Sequence, residues 1–215
     1  MQLFLDTANL KEIETLASWG VLNGVTTNPT LLSKELKVDP EKQIKAICKL
    51  VKGPVSMEVF STDAKGMVSE GKRYAAWAKN VVVKIPMTTA GLEAVAELKK
   101  AKIRTNVTLI FSANQALLAA KAGASFVSPF VGRLDEIGQD GMGLVAEIRE
   151  IFDNFPFETE ILVASVRQAR QVTEAALLGA DICTLPFAVF EKLVHHPLTD
   201  SGLAQFLSDW KNRKQ

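Results

Sequence analysis

The stretch AGASFVSPF at residues 122–130 returns as LGADICTLPF at 178–187, with Gly123 and Gly179 56 positions apart. Each copy reads as a glycine closing a helix, a short apolar run with a polar residue near its end, and then Phe. A separation of 56 residues suits two strand–helix units, as expected if alternate strands occupy equivalent places in a ring. Six further runs complete the pattern: LFL (3–5), NGVTT (23–27), VSMEVF (55–60), VVVKIP (81–86), IRTNVTL (103–109) and ILVAS (161–165). Short runs rich in Val and Ile, apolar on both faces, are typical of buried parallel strands.

Helical patterns fill the intervals. Asn9 with Glu12 and Ser112 with Gln115 have the spacing of capping boxes. Asp39-Pro40 places an N-cap before an N1 proline, ahead of Ile44, Ile47, Cys48 and Val51 at helical spacing. Gly20, Gly53, Gly123 and Gly179 stand where helices should stop. No linker or low-complexity stretch interrupts the 215 residues. The sequence therefore predicts one α/β domain over 1–215, a compact (β/α)8 TIM barrel with an extra C-terminal helix at 200–213. An open doubly wound sheet is the alternative, but the first strand runs into Asp-Thr-Ala-Asn, not a glycine-rich phosphate turn. On the last helix Leu203, Phe206, Leu207 and Trp210 share one face, which either packs on its own barrel or docks on a neighbouring subunit.

Composition narrows the function. With 25 Lys and Arg against 24 Asp and Glu, the net charge is +1, and no basic block suggests a nucleic-acid partner. Hydrophobic residues make up 47% of the chain and charged residues 23%, as in ordinary globular proteins. The N-terminus lacks a basic n-region and no stretch of 18 apolar residues occurs, so the expectation is a cytoplasmic protein with no membrane partner. Cys48 and Cys183 have no CxxC context, the only histidines are His195 and His196 near a helix C-terminus, and dinucleotide and Walker patterns are absent. Chemistry without a metal or organic cofactor is expected.

In a barrel enzyme the reacting groups lie at the C-terminal ends of the strands. One polar residue near each end gives Asp6, Asn28, Glu58, Lys84, Thr108, Ser128, Ser165 and Thr184, spaced by roughly one strand–helix unit each. Lys84, inside VVVKIP, is the most informative. Desolvation favours a neutral amine, which can attack a carbonyl to form a Schiff base; otherwise the side chain ends the strand and reaches water along its stem. Asp6 is either a turn cap or a base for a substrate hydroxyl. Glu58, between Met57 and Val59, suits general acid–base work with water held by the Thr108 hydroxyl. Asn28 and Asn106 offer donors and acceptors to a polyhydroxylated ligand, or form turns. Arg133, Ser165 and Arg167 suit a phosphate near the seventh helix, or are surface groups.

Taken together, the motifs LDTAN (5–9), GVTTNPT (24–30), VKIP (83–86), TNVT (105–108), SPFVGR (128–133) and ASVR (164–167) resemble the small transaldolase family. These are class I aldolase barrels, a group that also includes fructose-6-phosphate aldolases. The resemblance covers essentially the whole chain. It implies that Lys84 is the Schiff-base lysine, Asp6 the base acting on the C4 hydroxyl, and Glu58 and Thr108 the holders of a catalytic water. It likewise implies that Asn28, Asn106 and Ser128 surround a dihydroxyacetone unit, while Arg133, Ser165 and Arg167 contact phosphate. Within the family, the aldolases carry glutamine at the position of Glu58 and tyrosine at that of Phe130, and tend to lack the residues matching Asn106 and Ser128. This chain follows the transaldolase pattern at all four. The implied activity is transfer of a dihydroxyacetone unit between sugar phosphates in the pentose phosphate pathway, by a homo-oligomer, pentamer or decamer, whose C-terminal helices pack on neighbours. The alternatives are a fructose-6-phosphate aldolase releasing free dihydroxyacetone and, more distantly, a non-catalytic sugar-phosphate-binding barrel.

Overall fold

The computed structural model describes residues 1–35 and 38–213. Eight parallel strands close into a barrel in chain order: β1 Gln2–Asp6, β2 Gly24–Thr26, β3 Val55–Glu58, β4 Val81–Pro86, β5 Thr105–Ile110, β6 Phe126–Pro129, β7 Glu160–Val163 and β8 Ile182–Leu185. Closure is made by β8 against β1, from Gln2 opposite Ile182 to Leu5 opposite Leu185. Helices follow the strands, so this is a (β/α)8 barrel with a further helix, Pro197–Asn212, after the last unit.

Strand periodicity of two divides the core into two shells. Leu5, Val25, Met57, Val83, Ile85, Val107, Val127, Val163 and Cys183 join the continuous cluster between sheet and helices. Phe4, Val82, Phe126, Leu162 and Ile182 form a second cluster inside the barrel. Two positions further along, four of these strands turn polar on the inward face, at Asp6, Lys84, Ser128 and Thr184, while on β7 Ala164 continues the apolar cluster. The barrel interior is thus an apolar plug beneath a polar layer at the strand C-termini. The expectation of strands apolar on both faces holds only for the lower part.

Most helix ends follow the sequence. Gly20, Gly123 and Gly179 close helices at φ 75°, 97° and 73°. Asp39 caps Pro40–Leu50 through the Lys42 N–H at 3.1 Å. Several details differ. Glu12 leaves its box half-made, because it accepts from the Thr7 hydroxyl while Asn9 alone caps the helix. Gly53 is no helix stop: Pro40–Leu50 ends at Val51, and a Cβ on Gly53 would sit 1.7 Å from the Asn23 carbonyl oxygen, so close backbone approach requires the glycine. His195 ends Phe187–Val194, whereas His196 begins the next helix by accepting the Leu198 N–H at its Nδ1, 3.1 Å away.

The C-terminal helix starts at Pro197, three residues before the expected 200, because His196 and Pro197 form its cap and first turn. None of its residues is buried. Leu203, Phe206, Leu207 and Trp210 are 58%, 73%, 54% and 59% exposed. In the single chain this face is not covered by its own barrel.

Candidate active site

The register of the sheet assembles the polar layer. Glu58 lies opposite Lys84 across β3 and β4, and Lys84 opposite Asn106 across β4 and β5. Three inward side chains thus stand side by side on adjacent strands. The Lys84 Nζ is 3.0 Å from Glu58 Oε2 and donates to the Thr27 carbonyl at 3.1 Å. Lys84 is only 5% exposed. A cation so buried is retained only with partners, and these two supply them.

On the other side of the mouth, Asp6 pairs with Thr26 across β1 and β2. The Thr26 hydroxyl lies 2.8 Å from Asp6 Oδ1 and 2.7 Å from the Thr184 hydroxyl. Burial pushes the Asp6 carboxyl above its ordinary value, and the charge of Lys84 and the Thr26 hydrogen bond offset part of that rise. A second chain of bonds fixes the amide of Asn106. Its Oδ1 accepts from Ser128 Oγ at 2.7 Å and its Nδ2 donates to Ser56 Oγ at 3.3 Å.

Two hydroxyls in this layer stand apart. Thr108 Oγ1 and Ser165 Oγ are buried without a hydrogen-bond partner among the described residues. A buried orphan hydroxyl costs free energy, so both are suited to receive a water or ligand atom. Each sits beside or at unusual backbone: Leu109 at φ 59°, where β5 slips register against β6, and Ser165 at φ 61°. Non-glycine residues held there are strained, and such strain persists only where the surroundings over-determine it.

A cavity of about 100 Å³ opens at the strand C-termini, bordered by Asp6, Thr26, Asn28, Lys84, Ser128, Phe130, Arg133, Ser165, Arg167 and Thr184. Ten of the eleven expected site residues therefore either line it or bond to a residue that does: Asp6, Lys84, Glu58, Asn28, Asn106, Ser128, Phe130, Arg133, Ser165 and Arg167. Thr108, the eleventh, lies in the same layer, opposite Pro86 on β4. Asn28 combines both of its expected roles, since its Oδ1 caps Pro29–Lys34 through the Leu31 N–H while the residue borders the cavity. Arg133 lies over the Phe130 ring at 5.2 Å, and Phe130 meets Phe111 edge to face at 5.9 Å. Arg167 Nε bonds Glu136 Oε1 at 3.2 Å. The sequence reading missed Thr26, Thr27 and Ser56 as partners, although the strand period alone places Thr26 and Ser56 inward. A larger hollow of about 480 Å³ opens at the strand N-termini, where Lys99, Lys102 and Arg104 are exposed and face Glu158 and Glu160. Among the described residues no comparable set of buried polar groups converges there.

Fold and site together define a barrel enzyme with a buried lysine at the C-terminal mouth. The chain belongs to the transaldolase/fructose-6-phosphate aldolase family, whose description "Transaldolase/Fructose-6-phosphate aldolase" fits residues 3–215. A protein of Aquifex aeolicus (strain VF5) named "Probable transaldolase" is 60% identical over 212 residues, 98% of this chain and 97% of that protein. One of the same name from Brevibacillus brevis is 57% identical over 215 residues and 100% of both chains. Another, from Methanococcus maripaludis, is 58% identical over 211 residues, 98% of each. Among solved structures, a mandelate oxidase variant with an FMN adduct superimposes with a TM-score of 0.59 at 14% identity, over 86% of this chain and 64% of that one. At that identity the likeness concerns the fold alone. Among the described residues no helix is long and apolar enough to cross a membrane.

Proposed function

We propose that this chain is a transaldolase that moves a dihydroxyacetone unit from fructose 6-phosphate or sedoheptulose 7-phosphate to glyceraldehyde 3-phosphate or erythrose 4-phosphate. The observation that carries the reading is Lys84, buried and 3.0 Å from Glu58 in a cavity that Asp6 also borders. Lys84 attacks C2 of the ketose, and Glu58 is placed to take the ammonium proton and return it, through a water held at the Thr108 hydroxyl, to the departing C2 oxygen. The resulting iminium is an electron sink. Asp6 removes the C4 hydroxyl proton, C3–C4 breaks, the electrons enter the iminium as an enamine, and the aldose phosphate departs. The acceptor aldehyde captures the enamine, and hydrolysis releases the new ketose and the free amine. Asn28, Asn106 and Ser128 hold the hydroxyls of the three-carbon unit, while Arg133, Ser165 and Arg167 hold the phosphate.

The test follows glyceraldehyde 3-phosphate released from fructose 6-phosphate with and without erythrose 4-phosphate. Acceptor-dependent release is expected; equal release without acceptor would make the chain an aldolase. Phe130 bears on the same distinction, since its ring borders the cavity but has no group that can protonate the enamine. Phe130→Tyr is expected to raise acceptor-independent release several-fold, in line with one added general acid. An unchanged rate would remove this position from control of the enamine.

We further propose that the barrel and C-terminal helix form one domain that assembles as a pentamer or decamer in the cytoplasm. The exposed face of Leu203, Phe206, Leu207 and Trp210 supports assembly, because a contiguous apolar surface of this kind marks a protein interface. Phe206→Glu with Trp210→Glu is expected to lower the assembled mass in sedimentation; an unchanged oligomer would place the interface elsewhere.

A further inference from the structure

Beneath the loop that carries Ser165 and Arg167 lies a glutamine outside the cavity. Gln171, in helix Ala169–Leu177, is 5% exposed and bonds through both ends of its amide. Its Oε1 accepts from the Arg167 N–H at 2.7 Å and the Gln168 N–H at 3.1 Å. Its Nε2 donates to Asp135 Oδ2 at 2.6 Å. Asp135 belongs to helix Val131–Glu136, which also carries Arg133, and its Oδ1 accepts the Gly141 N–H at 2.9 Å. The partners fix the amide orientation, since two N–H groups demand the oxygen and a carboxylate demands the nitrogen.

The two segments so joined are the ones that bring Arg133 and Arg167 to the cavity. They also meet directly. The Val131 N–H donates to the Ala164 carbonyl at 3.1 Å, and a Cβ on Gly132 would lie 2.0 Å from the Ser165 carbonyl oxygen. Ser165 holds its strained φ of 61° at this junction. The outer link between Arg167 and Glu136 joins two half-exposed side chains, and such pairs hold geometry weakly. The Asp135–Gln171 bond, part-buried, short at 2.6 Å and charge-assisted, with Gln171 itself 5% exposed, is the stronger tie.

We propose that Gln171 is a positioning residue that, through Asp135, sets the distance and orientation between the two arginine-bearing segments and thereby tunes affinity for a phosphate. The inference rests on the phosphate role given above to Arg133, Ser165 and Arg167. Gln171 does not itself touch the ligand; it holds the Arg167 backbone.

The test uses Asp135→Asn, Gln171→Glu and the double variant, with inorganic phosphate titrated calorimetrically into the full-length protein. In Gln171→Glu two carboxylates oppose each other. In Asp135→Asn two amide NH2 groups do, unless one turns and abandons its backbone N–H. The double variant restores every bond with donor and acceptor exchanged, and its net charge equals that of the wild type. Phosphate binding is expected to weaken about tenfold in each single variant and to return to within about twofold in the double. Borohydride trapping of dihydroxyacetone, which carries no phosphate, is expected to stay unchanged in all three. A charge effect alone predicts the opposite sign for Asp135→Asn, because removing a carboxylate would tighten phosphate. Binding equal to or tighter than wild type in that variant overturns the proposal. So does a parallel loss of trapping and phosphate, which marks general damage, or a wild type that does not bind phosphate. Acceptor-dependent release by the wild type is a separate reading, so failure of the transaldolase assignment and failure of this tie remain distinguishable.

Discussion

Lys84→Met is expected to lose turnover down to background and to abolish borohydride trapping of substrate on the protein, because methionine has no lone pair that can form an iminium. The variant also strips Glu58 of its partner at 3.0 Å and the Thr27 carbonyl of a donor. Breaking a buried ion pair from one side costs about 3–5 kcal/mol, and the 15% exposure of the Glu58 side chain puts this case at or below the low end. Inactivity alone would therefore confuse chemistry with folding. Lys84→Met combined with Glu58→Gln removes both charges and is expected to regain most of the lost stability while staying inactive and untrapped. Mass spectrometry after reduction with borohydride reads the outcome. A covalent adduct retained in either variant would move the nucleophile to another residue.

Asp6→Asn separates carbon–carbon cleavage from Schiff-base formation. The amide keeps the shape of the carboxylate and an oxygen for the Thr26 hydroxyl, so trapping on Lys84 should persist. Cleavage should fall by about 10²–10⁴, the usual contribution of a positioned general base. The pH profile carries a sign. Burial raises the Asp6 pKa above 3.8, and the base form is the reactive one. In the wild type kcat/KM should thus rise with pH along an acid limb displaced above that of an ordinary aspartate. The residual activity of Asp6→Asn should lose that limb. Stability moves in the opposite sense. A carboxyl whose folded pKa exceeds its unfolded value binds protons more tightly when folded, so its contribution weakens as pH rises through the folded pKa. At neutral pH Asp6→Asn should consequently be at least as stable as wild type in thermal unfolding. Undiminished cleavage would remove Asp6 from the mechanism, and a clear drop in melting temperature would mean that the carboxylate is stabilising.

The barrel was legible because its signals are local. VVVKIP and ICTL coincide with β4 and β8, and the paired motifs at 122–130 and 178–187 do occupy matching βα positions two units apart. Strand ends were less sharp. The run 103–109 becomes Thr105–Ile110 because the left-handed Leu109 lets the strand continue past a bulge, and nothing in the composition of IRTNVTLI announces that turn of the backbone. Glu58 and Lys84 could each be suspected alone. Their contact depends on the register of β3 against β4, a non-local property.

By itself the sequence determined the alternation of strand and helix, the polar residue at each strand end, the caps, and the motifs that carry the family. Those are properties of neighbours along the chain, governed by side-chain period and backbone preference. Only the tertiary structure decided what each polar residue faces. Sheet register set Glu58, Lys84 and Asn106 in a row, and barrel closure brought Thr184 to Thr26. Burial left the Thr108 and Ser165 hydroxyls without partners among the described residues, and the folded loops joined Gln171 to Asp135 across 36 positions. The apolar stripe of the C-terminal helix was legible at once, but not whether its own barrel would cover it. An amphipathic pattern states that a face must be buried, whereas the partner depends on where the last strand releases the chain, and here that point turns the stripe away from the barrel.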